Sequence, residues 1–158
     1  MAQTILISLS IILILFFVIV PKHLHVFEWL IVILTIEFIF TSYTSILHMN
    51  VKVWEISPST FDFLAFRVFE TVTVPVLYLI VMNWVSFLSN WMKRTGIMLM
   101  GAVLLVLLEW TLVKSNVITY VNWSMWVSFL FFSLYFPILV LIMKGYHHIL
   151  QREGIVKR

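Results

Sequence analysis

Long apolar runs alternate with short polar links along the whole chain. The five runs cover residues 4–20, 27–47, 61–82, 95–113 and 124–143. Since about 20 apolar residues in a helix cross the hydrocarbon layer of a bilayer, each run predicts one transmembrane helix. Outer-membrane strands would instead show about 9–11 residues of alternating polarity, a pattern that this sequence lacks. We therefore expect an all-α polytopic membrane protein, a single domain over residues 1–158 with five spans and a basic cytoplasmic tail at 144–158.

The overall composition supports a lipid environment. Hydrophobic residues make up 63% of the 158 residues and charged residues 11%, with a mean hydropathy of +1.09. Soluble domains carry about 25% charged residues. The chain has no cysteine, which excludes disulfides, thiolate metal sites and cysteine nucleophiles.

The first apolar run, residues 4–20, has two interpretations. A secretory signal peptide needs a basic segment before its apolar stretch and a cleavage site of small residues after it. Here no Lys or Arg precedes the run, and Pro21, Lys22 and His23 follow it. We therefore favour a retained first span.

The stretch from Phe61 to Trp84 is the one around which we expect the others to pack. It is long and apolar enough to cross a bilayer, yet it contains Arg67, Glu70 and Pro75. An ionised side chain in hydrocarbon costs at least about 2.5–3.5 kcal/mol on insertion scales, so these charges require partners. The remaining helices are expected to surround this third span and supply them.

The distribution of Lys and Arg selects one of two orientations. Cytoplasmic segments of membrane proteins carry an excess of basic residues. With the N-terminus outside, two cations fall in external links and seven in cytoplasmic segments: Lys52 and Lys114 outside, and Lys22, Lys93, Arg94, Lys144, Arg152, Lys157 and Arg158 inside. We therefore predict an N-out, C-in topology.

This orientation converts sequence position into depth. At about 1.5 Å per residue, Arg67 lies roughly 9 Å and Glu109 roughly 6 Å below the external ends of their helices. By the same rise, Glu37 and Glu70 lie at about 13–15 Å, near the midplane. We therefore predict a polar centre shared by spans two, three and four. In it Arg67 pairs with Glu70 three residues on, Glu109 is its second partner, and Glu37 carries an exchangeable proton.

A polar stripe on the second span leads to this centre. Glu37, Thr41, Ser45 and His48 recur at steps of four and three, which places them on one helical face. We expect that face to look into the bundle, with His48 as a further candidate binding residue. For Thr41 and Ser45, ordinary hydrogen bonding between helices explains the pattern.

Two functions compete for the polar centre. Three carboxylates against one guanidinium leave negative charge that protons, a cation or a cationic ligand must balance, which fits binding or transport of a small solute, proton or cation. Alternatively, the cluster is structural and fixes how the helices pack. The protein would then be an accessory membrane subunit that binds a partner membrane protein or a second copy of itself.

No enzymatic activity, catalytic residue or cofactor is predicted. The sequence contains no GxSxG, HExxH or phosphate-loop motif. His23 and His25, and the pair His147 and His148, lack the i, i+4 spacing of metal ligands on a helix, so we expect headgroup contacts rather than a metal site. The basic tail is expected to contact anionic lipid headgroups and no nucleic acid.

The segment from Glu109 to Trp126 has a distinctive pattern, E-W-T-L-V-K-S-N-V-I-T-Y-V-N-W-S-M-W, and S-T-F-D-F precedes it at residues 59–63. These elements resemble a family of small five-helix integral membrane proteins found in endospore-forming Gram-positive bacteria. The resemblance implies a multi-pass protein of a bacterial plasma membrane. For the accessory-subunit alternative, sporulation or envelope processes are the expected context. The resemblance supplies no catalytic residues.

The same segment draws attention to the external link between the last two spans. Lys114, Tyr120 and Trp123 lie in this link, shortly after Glu109. We expect these three residues to form a lid over the polar centre, close to the end of the second span at His48.

Overall fold

The chain folds into five helices in a computed structural model, which describes residues 2–155 except for the side chains of residues 2, 3 and 5. The helices are α1 (Ala2–Ile19), α2 (Val26–Asn50), α3 (Thr60–Phe87), α4 (Trp91–Lys114) and α5 (Met125–Arg152). Helices α2 to α5 are each long and apolar enough to cross a membrane, and α1 is apolar over the shorter stretch Leu6–Ile19. The predicted helical architecture with five helices is confirmed.

Helix α3 lies at the centre of the bundle. In its apolar window 61% of the residues are buried, compared with 28% in each of α2, α4 and α5. It contacts all four other helices. The prediction that the other helices surround the third span is therefore confirmed.

Two helix ends differ from the predicted spans. Helix α5 continues past residue 143 to Arg152, so the first part of the predicted tail is helical, while residues 156–158 lie outside the described part of the chain. Arg152 in the last turn favours this extension, because a cation interacts well with a helix C-terminus. Helix α4 begins at Trp91 rather than at residue 95. The Asn90 side chain accepts a hydrogen bond from the Met92 N–H at 2.9 Å and caps the helix there.

Helix α3 is widened by a π-helical turn over Phe69–Thr73. The turn ends two residues before Pro75, which has no N–H to donate, and the Val74 N–H donates to the Phe69 carbonyl five residues back. Glu70 lies inside this turn. Single π-turns within α-helices are frequent at functional sites, so the turn makes Glu70 a candidate functional residue.

Two links meet at one end of the bundle in a small antiparallel sheet. Strand β1 (Trp54–Ile56) pairs with β2 (Ile118–Tyr120) in the register Trp54↔Tyr120, Glu55↔Thr119 and Ile56↔Ile118. Three-residue strands inside polar links are too short to give a period-2 signal, so the sequence does not predict them. Trp54 and Ile118 are fully buried. The sheet therefore caps this end of the helices.

Close packing of α3, α4 and α5 depends on Gly101. A Cβ atom there would lie 2.8 Å from Val81 Cγ2 and 2.9 Å from Phe136 Cζ. We expect Gly101→Ala to lower the free energy of unfolding by about 1–3 kcal/mol, the usual effect of an overpacked core. Denaturant titration in detergent micelles measures this change.

Gly96→Ala is the matched control on the same helix. The described residues leave nothing within 4 Å of a Cβ atom at Gly96, so this change is expected to be neutral or to raise the stability by up to about 1 kcal/mol. Equal losses in the two variants would contradict the close approach at Gly101.

Candidate functional site

The Glu70 cluster, formed by Thr44, Arg67 and Glu70, joins α2 to α3. Arg67 Nη1 donates to Glu70 Oε2 at 2.5 Å, and the Thr44 hydroxyl donates to Glu70 Oε1. Glu70 is 1% exposed, so both oxygens of its carboxylate have partners where water is excluded. The predicted pair of Arg67 with Glu70 is confirmed.

Arg67 extends from this cluster toward the sheet end of the bundle. Its side chain is 47% exposed, and its guanidinium carbon lies 5.0 Å from the centre of the Phe63 ring. Arg67 and His48 both line a cavity of about 60 Å³, and His48 Nδ1 lies 3.1 Å from the Trp54 carbonyl oxygen. A long cationic side chain of this kind buries its stem and keeps its head in a polar environment.

The Glu109 cluster, formed by Glu109, Tyr120, Trp123 and Ser128, joins α4 to α5 and to β2. Glu109 Oε1 accepts hydrogen bonds from the Tyr120 hydroxyl and from Ser128 Oγ, the latter at 2.7 Å. Ser128 Oγ in turn accepts from the Trp123 indole N–H at 2.8 Å. Glu109 is 1% exposed and Ser128 is fully buried. The cluster is thus a chain of hydrogen bonds whose acid, Glu109, is closed to water, while Tyr120 and Trp123 are half-buried.

The predicted contact between Arg67 and Glu109 is wrong. Glu109 on α4 is bonded to Ser128 on α5 and to Tyr120, whereas Arg67 on α3 is bonded to Glu70. Similar depth does not bring the two charges together, because their side chains leave their helices in different directions. The residues predicted to share one polar centre therefore lie in two separate buried clusters, those of Glu70 and Glu109.

The link after α4 places two of the three predicted lid residues in the Glu109 cluster. Tyr120 donates to Glu109 itself, and Trp123 donates to Ser128, which is bonded to Glu109. Lys114 does not belong to this lid: it is exposed at the end of α4, with Nζ 5.0 Å from the centre of the Trp110 ring. A hydrated ammonium is stable there because the last turn of a helix favours a cation.

Aromatic rings surround the Glu109 cluster. The Tyr43 ring centre lies 5.7 Å from that of Trp54 and 6.2 Å from that of Trp123, and the Trp54 and Tyr120 ring centres are 6.1 Å apart. Such spacings are favourable between aromatic side chains. Together the rings form a rigid apolar wall around the carboxylate.

The lid residue Tyr120 is a permanent donor to Glu109. Burial, together with the negative charge of Glu109, raises the pKa of the Tyr120 hydroxyl above its ordinary value. The hydroxyl therefore stays protonated at physiological pH. Its hydrogen bond links the small sheet directly to the buried acid.

One oxygen of Glu109 has no partner among the described residues. Glu109 Oε2 is buried without a hydrogen bond to any described residue, and the same holds for the Tyr43 hydroxyl and the Trp54 indole N–H in the surrounding wall. Buried polar atoms without partners are rare in native proteins and call for a specific explanation, such as an ion or a functional role. The unpartnered Oε2 atom therefore makes Glu109 a candidate binding residue.

Glu37 belongs to neither cluster. It is half-buried, and its carboxylate forms no hydrogen bond or ion pair with the residues that the structure describes. The prediction that the Glu37 to His48 stripe faces the core is wrong, since Ser45 is exposed. The buried face of α2 consists of Glu28, Val32, Ile36, Phe40, Thr44 and Leu47. Large apolar side chains gain more from burial than small polar ones do, and they set the rotation of the helix.

A third buried acid, Glu28, lies at the opposite end of the bundle. Its Oε2 accepts the His25 backbone N–H at 2.7 Å, and its Oε1 lies 2.6 Å from Nδ1 of His147 on α5. The structure thus gives protein partners to two histidines for which we expected headgroup contacts. The signal available in the sequence was the spacing of His25 and Glu28, which matches an N-cap and its third helical residue.

Known metal patterns and known proteins do not define this site further. Within residues 2–155, no group of three or more His, Asp or Glu side chains is placed to hold a metal ion. Comparisons with protein-family models, curated proteins and solved structures found no match to this chain. Function is therefore inferred from geometry.

The stability of the Glu70 cluster is testable by removing its cation. Arg67→Leu leaves a buried carboxylate without its charged partner, and we expect the free energy of unfolding to fall by about 1–3 kcal/mol. This is less than the 3–5 kcal/mol of a fully buried pair, because Arg67 is 47% exposed. Adding Glu70→Gln to Arg67→Leu should recover part of the loss. A double-mutant cycle in detergent measures the coupling, and no recovery would contradict the pairing.

The sheet over the Glu109 cluster is testable by crosslinking. Glu55 and Thr119 are directly opposite across β1 and β2, where Cα atoms are about 4.5–5.5 Å apart, within the range of disulfides. In this cysteine-free chain, Glu55→Cys with Thr119→Cys is expected to form a disulfide under mild oxidation, seen as protection from thiol labelling. Lys52→Cys with Thr119→Cys is the control that should stay labelled. Free labelling of both pairs would refute the register.

Proposed function

We propose that the protein is a multi-pass membrane protein whose Glu109 cluster binds an exchangeable proton or a small cation. The observation that carries this proposal is the buried Glu109 Oε2, which has no partner among the described residues, while Oε1 accepts two hydrogen bonds. A desolvated carboxylate without a nearby cation is strongly unfavourable. A proton or cation at Oε2 removes that penalty. Ionisable residues inside membranes are functional candidates by default.

The charge distribution supports a membrane orientation for this site. The links and helix end opposite the sheet carry five cationic residues within the described chain: Lys22, Lys93, Arg94, Lys144 and Arg152. The links at the sheet end carry Lys52, with Lys114 at the adjoining helix terminus. Under the positive-inside rule the N-terminus and the sheet lie outside. The family resemblance makes the membrane a bacterial plasma membrane in this proposal, so Glu109 faces the external side.

The sheet provides the route to Glu109. Its strands have three residues each, extended by hydrogen bonds from the Val121 N–H to the Val53 carbonyl at 2.9 Å and from the Ser57 N–H to the Val117 carbonyl at 3.0 Å. Segments held by so few bonds open locally without global unfolding. In the proposal, opening of the sheet exposes Glu109 to the external solution and closing returns the bound proton or cation to a dry site. The protein would sense or take up that species from outside.

A structural role is the second proposal, and the Glu70 cluster favours it. Both Glu70 oxygens are bonded, and the donors come from α2 and α3. Because each oxygen of the Glu70 carboxylate already accepts a hydrogen bond, the cluster needs no ligand and acts as a tie between helices. The protein would then serve as an accessory subunit for a partner membrane protein or for a second copy of the chain. Neither proposal includes an enzymatic activity or a cofactor.

Glu109→Gln tests the binding proposal, because it replaces the carboxylate by an uncharged group of the same shape. In liposomes, acid-minus-neutral infrared difference spectra of the natural protein should contain a carboxyl C=O band that Glu109→Gln lacks. If a metal or ammonium cation is bound instead, Trp54 and Trp123 beside the site should report saturable binding by fluorescence, again lost in Glu109→Gln.

Glu37→Gln is the matched control. It removes the other intramembrane acid that lacks a partner among the described residues, the one that depth alone selects for the exchangeable proton. It should leave both the infrared band and the fluorescence titration in place. The proposal fails if Glu109→Gln keeps them, and Glu37 becomes the site if Glu37→Gln alone abolishes them.

A further inference from the structure

A pocket of about 310 Å³ lies at the end of the bundle opposite the sheet. The link before α2, the start of α2 and parts of α3, α4 and α5 enclose it. Its polar lining consists of His23, Glu28, Ser86, Arg94, Lys144 and His147. Pockets that bind small ligands begin at about 300 Å³, so the space is sufficient for a small polar group.

The groups that line this pocket have a net positive charge. Arg94 and Lys144 are cationic, and neither is in an ion pair with another described residue. Arg94 Nε donates to the Leu88 carbonyl at 2.5 Å. That bond fixes the direction of the guanidinium and leaves its terminal nitrogens for a ligand.

The single acid in the lining, Glu28, has a hydrogen-bond partner at each carboxylate oxygen. Both oxygens of Glu28 are occupied, by the His25 N–H and by His147. His147 Nε2 lies 2.9 Å from the Gln151 amide nitrogen. These partners assign the tautomer in which Nδ1–H donates to Glu28 and Nε2 accepts from Gln151. Glu28 and His147 therefore form a closed structural pair beside the two free cations.

We propose that this pocket binds a phosphate group between Arg94 and Lys144, either in an anionic lipid headgroup or as a free phosphate ion. Guanidinium and ammonium groups are the usual protein ligands of phosphate, and their charge-assisted hydrogen bonds are the strong ones. Trp84 and Trp91 flank the same end of α3 and α4, where aromatic side chains mark the height of lipid headgroups. The lipid phosphate is therefore the favoured source. This site is independent of the Glu109 cluster.

The test uses the full chain in nanodiscs that contain equal amounts of phosphatidylglycerol and phosphatidylcholine. Retained phosphatidylglycerol is counted by native mass spectrometry. Arg94→Gln with Lys144→Gln is expected to reduce its retention about 10-fold or more, the effect of losing charged hydrogen bonds. Lys93→Gln with Arg152→Gln removes the same charge from the same end of the bundle without touching the pocket, and it should reduce retention far less, because it removes only exposed surface charge.

Arg94→Lys with Lys144→Arg changes the same two positions but preserves their charge, and it should retain the lipid. Retention in this variant shows that loss in the glutamine variant comes from the lost charge and not from misfolding. Inorganic phosphate is titrated by calorimetry in nanodiscs of phosphatidylcholine alone. Binding there that depends on Arg94 and Lys144, without selective phosphatidylglycerol retention, identifies a free phosphate ion as the ligand. The proposal is overturned if the Lys93 and Arg152 control loses as much lipid as the pocket variant. It is also overturned if neither phosphatidylglycerol nor inorganic phosphate binding depends on the pocket pair.

Discussion

Every carboxylate buried in this bundle must find hydrogen-bond donors, because neither lipid tails nor apolar side chains supply them. Glu28, Glu70 and Glu109 are each at most 4% exposed. Each joins its own helix to another segment: α2 to α5, α3 to α2, and α4 to α5 and β2. The need to satisfy three acids thus fixes the bundle at three points, and the apolar core packs between them.

The three acids differ in how completely they are satisfied. Both oxygens of Glu28 and both oxygens of Glu70 have donors. Glu109 has donors on one oxygen and none among the described residues on the other. A carboxylate with a donor on each oxygen is already stabilised and gains little from a ligand. A carboxylate with donors on only one oxygen is stabilised further when a proton or cation binds the other oxygen. The same physical demand therefore produces two ties and one candidate binding site, which is why the structural and the functional interpretations apply to different acids.

The sequence predicts the features that depend on the hydrophobicity of one segment or on the spacing of residues within it. Five apolar runs give five helices, and the pair of charges in the third run correctly marks the central helix. Arg67 and Glu70 meet because residues three apart on a helix are neighbours. Position along the chain also gives depth, but depth leaves the direction of each side chain around its helix undetermined. For this reason Glu109 accepts hydrogen bonds from Ser128 and Tyr120 and does not contact Arg67. For the same reason α2 buries the face that contains Phe40 and not the stripe that contains Glu37.

Contacts between distant parts of the chain are hidden from the sequence for the same reason. Trp54 and Tyr120 face each other across the sheet although 66 positions separate them, and three-residue strands carry no periodic signal. The pair of Glu28 with His147 spans 119 positions. The sequence shows only the two side chains separately: Glu28, an acid near the start of α2, and His147, a histidine near the end of α5.

Under the proposed function, occupancy of Glu109 and closure of the sheet are coupled. The Tyr120 hydroxyl donates to a carboxylate when Glu109 is ionised, and such a charge-assisted bond is roughly twice as strong as one between neutral groups. A proton on Oε2 removes the charge and weakens the bond that holds β2 over the site. Burial acts in the opposite direction and is the larger effect, because closing the sheet removes Glu109 from water and so favours its protonated form. Because linkage is reciprocal, protonation of Glu109 in turn favours the closed sheet, and the external cap of this bundle responds to what Glu109 binds.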